Sequence, residues 1–189
     1  MKGWTRPLAF GLLVALVLAG CAVTGGAVKE GAQPAAAAGP SEAETDPYAG
    51  YKNLALGRPI KANNHIYQFT ADKAVDGDVL TYWEGGPNKY PNEVVVDLGA
   101  VHTIKAIRIK LNPARIWQPR KQTFEILISD DGENFSVLAP SAEYAFHPVQ
   151  NKNTVTIPVE GQGRYLKVVF TANTEATAGQ IGELEVFGE

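Results

Sequence analysis

The sequence predicts an antiparallel all-β sandwich or barrel over Asn53–Glu189. Three observations carry that expectation. Short apolar runs alternate with polar residues and are broken by Gly, Pro, Asn and Asp. No long segment keeps a 3.6-residue apolar period, so helix is expected only in the region before Asn53 and in a short turn near "TADKAVDG" (Thr70–Gly77). "SDDGENF" (Ser129–Phe135) places Asp131-Gly132 where a hairpin needs a residue tolerant of positive φ.

The strands follow in order. "EVVVDLG" (Glu93–Gly99) holds a β-branched run. "IKAIRIKL" (Ile104–Leu111) alternates imperfectly, with Ile104, Ala106, Ile107 and Ile109 set against Lys105, Arg108 and Lys110. "TFEILIS" (Thr123–Ser129) places Phe124, Ile126 and Ile128 on one face. "NTVTIPV" (Asn153–Val159) does the same with Val155, Ile157 and Val159. "RYLKVVF" (Arg164–Phe170) and "IGELEVFG" (Ile181–Gly188) complete the set, and no internal repeat is present. The segment has the size of a single domain.

The first fifty residues are of another kind. "MKGWTRPLAFGLLVALVLAGC" opens with Lys2 and Arg6, continues through an apolar run from Ala9 to Ala19, and ends in "LAGC". The run is too short and wrongly flanked for a transmembrane helix. Leu18, two small residues and Cys21 resemble the bacterial lipobox, which implies a signal peptide at 1–20, a lipidated Cys21 and a cell-envelope location facing outside the cytoplasm. Cys21 is the only cysteine, so it cannot form an internal disulfide. Acyl chains on it would contribute about 0.8 kcal/mol per buried methylene, enough for a stable membrane anchor when two or three are present. Residues 21–52 are rich in Ala, Gly, Pro and polar side chains and are expected to form a tether. As a random coil it would span roughly 30 Å.

The chain carries 17 basic and 20 acidic residues. Removing residues 1–20 takes away Lys2 and Arg6 and no acid, which leaves 15 against 20. An acidic mature protein argues against nucleic acid as a partner. The three histidines, His65, His102 and His147, fall in no catalytic pattern, and HExxH, GxSxG and phosphate-cradling glycine loops are all missing from the sequence. The chain is therefore expected not to be an enzyme.

"KAVDGDVLTYWEGG" (Lys73–Gly86) is the most singular stretch. Asp76 and Asp78 flank Gly77, and Thr81 adds a hydroxyl and a carbonyl. Oxygen donors in a tight bend suit calcium, which takes six to eight of them. An EF-hand is excluded, because the twelfth position counted from Asp76 is Pro87 rather than glutamate. A solvated turn in which the aspartates cap backbone amides reads equally well from these residues alone.

The order of landmarks is more specific than any one of them. "NLALGRPIKAN", "ADKAVDGDVLTYWEG", "NEVVVDLGAVHTIKAIRIKL", "FEILISDDGENF", "RYLKVVFTAN" and "GQIGELEVFG" follow one another across Asn53–Gly188. This order resembles the discoidin domain, also called the coagulation factor five/eight type C domain, a group that includes galactose-binding-like carbohydrate-binding modules. The stretches Thr81–Gly99, Ser141–Phe146 and Ala178–Gly188 look most like modules attached to bacterial glycan-degrading enzymes, α-glucanases among them. The resemblance implies a jelly-roll β-sandwich of about eight antiparallel strands, with the chain ends together at one end and the binding loops at the other. It implies a structural calcium ion held by a Lys73 carbonyl, Asp76, Asp78, Thr81 and a last-strand glutamate, Glu183, with Glu185 as the competing position.

The expected partner is a carbohydrate, either a polysaccharide such as a glucan or a cell-wall glycan. Sugars are commonly held by an aromatic face with planar donors on their hydroxyls. Three loops offer such groups: His65 and Tyr67 in Asn63–Thr70, Glu84 and Tyr90 in Trp83–Asn92, and Arg115, Trp117 and Arg120 in Asn112–Lys121. Trp117, between Pro113 and Pro119 in a polar loop, leads this set, while Trp83, Phe69 and Phe146 are expected in the core. The competing function is a protein-interaction or adhesion module, since discoidin domains also bind proteins.

Overall fold

A computed structural model describes residues 45–189. The signal segment, Cys21 and most of the expected tether lie outside the described residues. Within them no helix is long and apolar enough to cross a membrane.

The described chain is nearly all strand: β1 (Lys52–Asn53), β2 (Ile60–Ala62), β3 (Trp83–Glu84), β4 (Asn92–Lys110), β5 (Arg120–Ser129), β6 (Ser136–Phe146), β7 (Thr154–Asn173), β8 (Gln180–Ile181) and β9 (Glu183–Gly188). One 3-10 turn, Ala71–Ala74, falls in the "TADKAVDG" segment. All pairings are antiparallel. The main path runs β1-β9-β4-β7-β5-β6, with β2 also on β4, and β3 pairs β8 separately.

The sequence reads two strands in each of Glu93–Leu111 and Asn153–Phe170. The structure joins each pair into one long strand that bends. β4 pairs β7 through Asn92–Asp97, shifts register, and pairs it again from His102 to Lys110. Its first half borders β2 and its second half borders β9, while β5 joins the second half of β7. The bend therefore turns one hydrogen-bonded path into the two layers of a sandwich. Val94, Val96 and Leu98 from one half of β4 and Ile104, Ile107 and Ile109 from the other lie in a single buried cluster with Trp83, Phe124 and Phe170. A second register shift between Ile104 and Ala106 accounts for the broken alternation of "IKAIRIKL".

Gly99 turns the corner at φ +89°, in the left-handed region. Asp97 fixes it by accepting a hydrogen bond from the Gly99 amide at 2.8 Å and a paired bond from Arg164 at 2.7 and 2.8 Å. The β5–β6 hairpin is tied in the same way, with Gly132 at φ +80° and Asp131 accepting from the Glu133 and Asn134 amides.

The sequence patterning does not reveal β6. It is an edge strand, mostly exposed, with Pro140 within it and only Ala139 and Phe146 buried. An edge strand tolerates proline and has no second neighbour to impose alternation.

The ends of the domain meet, as Lys52 and Asn53 pair with Gly188 and Phe187. The packed region also starts earlier than Asn53. Tyr48 stacks on Phe187 at 6.0 Å, and Asp46 pairs with Arg108 at 2.7 Å. The segment 45–52, which composition assigns to the tether, is thus bound to the sheet.

The Asp97–Arg164 pair generates a prediction. Its hydrogen bonds to Arg164 hold the Asp97 carboxyl down at about 2, from an ordinary 3.8. A depressed carboxylate contributes stability that is present above the unfolded value and is lost as pH falls through the folded one. Thermal melts of the wild type should fall between pH 4 and pH 2, and Asp97→Asn should be less stable at neutral pH with a shallower fall over that window.

Candidate functional site

Two buried side-chain amides organise the loop end of the sandwich. Asn92, fully buried at the start of β4, accepts from the Gly179 amide at 2.8 Å. It donates to Asn64 Oδ1 at 3.0 Å and to the Gly86 and Lys89 carbonyls. One side chain thereby joins the loops around residues 63–70, 84–92 and 174–180. Gln122, fully buried in β5, accepts from the Gln180 amide at 2.8 Å and donates to the Gln180 carbonyl at 3.0 Å. The backbone of Gln180 is clamped, and its side chain, though the residue is buried, borders a cavity.

That side chain links two charged groups. Gln180 Oε1 accepts from Arg120 at 2.6 Å, and Gln180 Nε2 donates to Glu84 at 3.0 Å. The β3–β8 register sets Glu84 directly opposite Gln180. The Arg120 guanidinium lies 4.9 Å from the Trp117 ring. Trp117 meets Tyr82 edge-on at 4.8 Å, and Tyr82 stacks on Phe69 at 4.3 Å. The result is a ridge of three half-buried rings that continues through the half-buried Arg120 and Glu84, with the buried Gln180 amide linking the last two. Burial pulls the Arg120 guanidinium below its ordinary value, while Glu175 and Glu84 oppose the shift. A cavity of about 300 Å³ opens between Tyr82, Ile116, Trp117, Arg120 and Gln180.

Of the residues singled out in the sequence, Trp117, Arg120 and Glu84 come together here. Trp117 also rests against the core cluster. Tyr67 is 79% exposed, and His65 is exposed beside it on a loop bound to β3 through the Ile66 amide and the Glu84 carbonyl. Arg115 is exposed. Tyr90 departs from expectation, because it packs against the core with its hydroxyl buried and unpartnered. Trp83 and Phe146 are core residues as expected, but Phe69 is half-buried in the ridge. Tyr82 and Gln180 join this cluster, though neither is among the residues that the sequence reading names. The signal for Tyr82 is its place beside Trp83, since neighbouring strand residues face opposite sides. No sequence pattern marks Gln180.

His147 accepts from the Val149 and Gln150 amides and so caps its own turn, and His102 lies 3.1 Å from the Glu189 carbonyl. His147 also borders a separate cavity shared with Pro119, Arg120 and Lys121.

The "DGD" loop lies at the side of the ridge. Gly77 has φ +83°, and its amide donates to Glu183 at 3.1 Å across 106 residues of sequence. The Thr81 hydroxyl donates to Asp76 at 2.7 Å. Asp78 uses its carboxylate on the Leu80 amide, 3.0 Å away. Lys73 reaches Asp76 with its ammonium at 3.8 Å. Among the described residues no three acidic, histidine or cysteine side chains form a ready metal cluster. Yet Glu183 is buried with one carboxylate oxygen unpartnered. Burial, with Asp76 and Glu185 adding to it against the Gly77 hydrogen bond, pushes its carboxyl up to about 7. An uncompensated buried carboxylate beside another acid and a set of oxygen donors fits a hard cation. Glu185 does not compete for this place, since it pairs with Lys110 at 2.5 Å and Arg108 at 3.5 Å.

Residues 59–184 match the F5/8 type C domain model. The chain belongs to that family. Among solved structures, the F5/8 type C chain resembles a family 89 glycoside hydrolase from Clostridium perfringens at 26% identity and a TM-score of 0.59, covering 72% of this chain and 14% of the enzyme's. It resembles chitosan-binding module 2, in complex with chitotriose, of a chitosanase/glucanase from Paenibacillus sp. IK-5, at 20% identity and a TM-score of 0.57, covering 72% and 100%. A pectin-binding carbohydrate-binding module matches at 23% and 0.59, covering 70% and 91%. The chain thus has the fold of a carbohydrate-binding module. No curated protein sequence matches it.

Truncating Asn92 tests the loop-end framework. Asn92→Ala strands the Gly179 amide in the core, and each buried partner left unpaired costs about 1–3 kcal/mol. Urea denaturation should show a loss of at least that size, the largest for any single polar substitution at this end.

Proposed function

We propose that this F5/8 type C chain is a non-catalytic glycan-binding module, anchored by a lipid on Cys21 at a bacterial cell envelope and stabilised by calcium. The ridge Tyr82–Trp117–Arg120–Gln180–Glu84 is the observation that carries the reading. Aromatic surface can cover the C–H face of a sugar ring, while Arg120, Gln180 and Glu84 present donors and acceptors already fixed in place. Preorganisation of this kind lowers the entropy lost on binding. The neighbouring modules named for chitosan and pectin support a carbohydrate as partner. The lipobox-like "LAGC" supports the anchor.

Glu183, Asp76, Asp78, the Thr81 oxygens and the Lys73 carbonyl would hold calcium. The ion would supply positive charge to the buried carboxylate and clasp the first long loop to the last strand. Glu183 is what makes the clasp span the chain, and Gly77 allows the loop to approach it.

Affinity electrophoresis through chitosan, pectin and α- and β-glucans tests the binding reading. Wild-type protein should be retarded by at least one of them. Trp117→Ala should weaken that retardation about tenfold, equivalent to 1.4 kcal/mol, without a matching fall in melting temperature. Absence of retardation on every glycan would move the assignment to a protein-interaction or adhesion module.

The calcium reading is tested by melts with and without chelator. In chelated protein the raised Glu183 carboxyl keeps its proton in the folded state where the unfolded chain has lost it. Stability should therefore fall as pH rises from about 4.5 to about 7. Calcium should restore it at pH 7, and Glu183→Gln should be indifferent to both pH over this window and calcium. An unchanged melting temperature on chelation sinks the clasp.

A further inference from the structure

Tyr82 borders two cavities, and only one belongs to the ridge described above. The other, of about 250 Å³, is lined by Gln68, Phe69, Lys73, Leu80, Thr81 and Tyr82. Phe69, Leu80 and the edge of Tyr82 give it an apolar wall. Gln68 and Lys73 border it, but the lining is almost wholly apolar. Leu80 is 63% exposed, and its backbone is held by its amide donating to the Asp78 carboxylate at 3.0 Å. Phe69 is fixed as well, through its amide on the Ile66 carbonyl at 3.1 Å, its carbonyl on the Glu84 amide, and its stack on Tyr82. The cleft is therefore a formed feature of the surface.

The two cavities are joined by their common wall. Each is at or below the lower end of the roughly 300–1,000 Å³ typical of small-molecule sites, and together they fall within that range. A ligand filling both must be elongated and must cross Tyr82. The part on the Trp117–Arg120 side meets an aromatic wall with planar polar groups, and the part in the cleft meets an almost wholly apolar wall, so both parts need an apolar face and the first also needs hydroxyl or carboxylate groups. Consecutive sugar rings of one chain have that chemistry.

We propose that the module reads at least two consecutive units of a glycan chain, one on the Trp117–Arg120 side of Tyr82 and the next in the Phe69–Leu80 cleft. The inference rests on the glycan-binding reading and adds chain length as a determinant of specificity. Leu80 is the specificity residue of the second subsite, with Gln68 at its rim. The Trp117 side engages a single sugar. The cleft adds affinity only for a ligand long enough to reach it.

Calorimetric titration of the full-length chain decides the matter. The probes are glucosamine and galacturonic acid, each as monosaccharide and as chains of two, three and four units. The Kd should fall at least tenfold from one unit to two for the sugar that binds, and by less than threefold from three units to four. Leu80→Asn should cancel most of the gain from the second unit while leaving monosaccharide affinity within twofold of wild type. Gln68→Ala, at an exposed position, should act in the same direction. Trp117→Ala should weaken every length alike. Equal affinity for one unit and for two, or oligosaccharide affinity untouched by both Leu80→Asn and Gln68→Ala, overturns the two-subsite proposal and leaves glycan binding standing. No binding of any probe, together with no retardation on the polysaccharide gels, overturns glycan binding and the subsites with it.

Discussion

The loop end of this sandwich depends on a requirement that buried amides be fully hydrogen-bonded. Asn92 and Gln122 are both fully buried. A buried polar group without partners costs more than a satisfied one contributes, so the loops around these two side chains are not free to rearrange singly. Asn92 ties three loops to the top of β4, and Gln122 ties the Gln180 backbone to β5. Everything displayed at that end inherits its position from these contacts. Loops held in this way can present a binding surface without relying on a large hydrophobic base.

The bent strands supply the complementary constraint at the other end. β4 and β7 pass through both layers, so the core behind the site is continuous with the core behind the chain termini. The corner is held by a turn residue at positive φ, Gly99, and by the Asp97–Arg164 pair. The 45–52 segment adds to this by docking on the sheet through Asp46 and Tyr48. The first described residues thus lie against the face that carries Arg108.

Much of this was legible in the sequence, and the exceptions have physical causes. Strands buried on one face announce themselves by alternation, as "TFEILIS" does. β6 does not, because an exposed edge strand with Pro140 has little to bury. The joining of two apparent strands into one is invisible to a pattern that breaks at a bulge. In the ridge, the structure brings together Trp117, Arg120 and Glu84, all legible in the sequence as loop residues. Tyr90 packs inward because a loop tyrosine next to the core can bury its ring, and nothing local in the sequence marks that. Gln180 was missed because its role comes from pairing across 96 residues with Glu84. Glu183 and Glu185 were not separable by period alone. The neighbours of each decide between them, Lys110 and Arg108 beside one and the Gly77 amide beside the other.

The short β3–β8 pair explains how the clasp and the ridge coexist in one small region. Trp83 is fully buried and donates its indole N–H to the Asn64 carbonyl, which fixes the strand from inside. Its neighbour Tyr82 must then face the surface, and Glu84 must lie opposite Gln180. The chain preceding Tyr82 is the Asp76–Thr81 loop, held to the last strand through Glu183. The chain following Glu84 runs into Gly85 and Gly86, where an added Cβ at Gly85 would collide with Asn92. A single six-residue span, Thr81–Gly86, therefore runs from the Asp76–Thr81 loop through the core anchor to the amide hub. The Gly77–Glu183 hydrogen bond ties one end of that span and Asn92 ties the other. Tyr82, between them, has no independent freedom, which is the condition a stacking platform needs if binding is not to be spent on ordering the site.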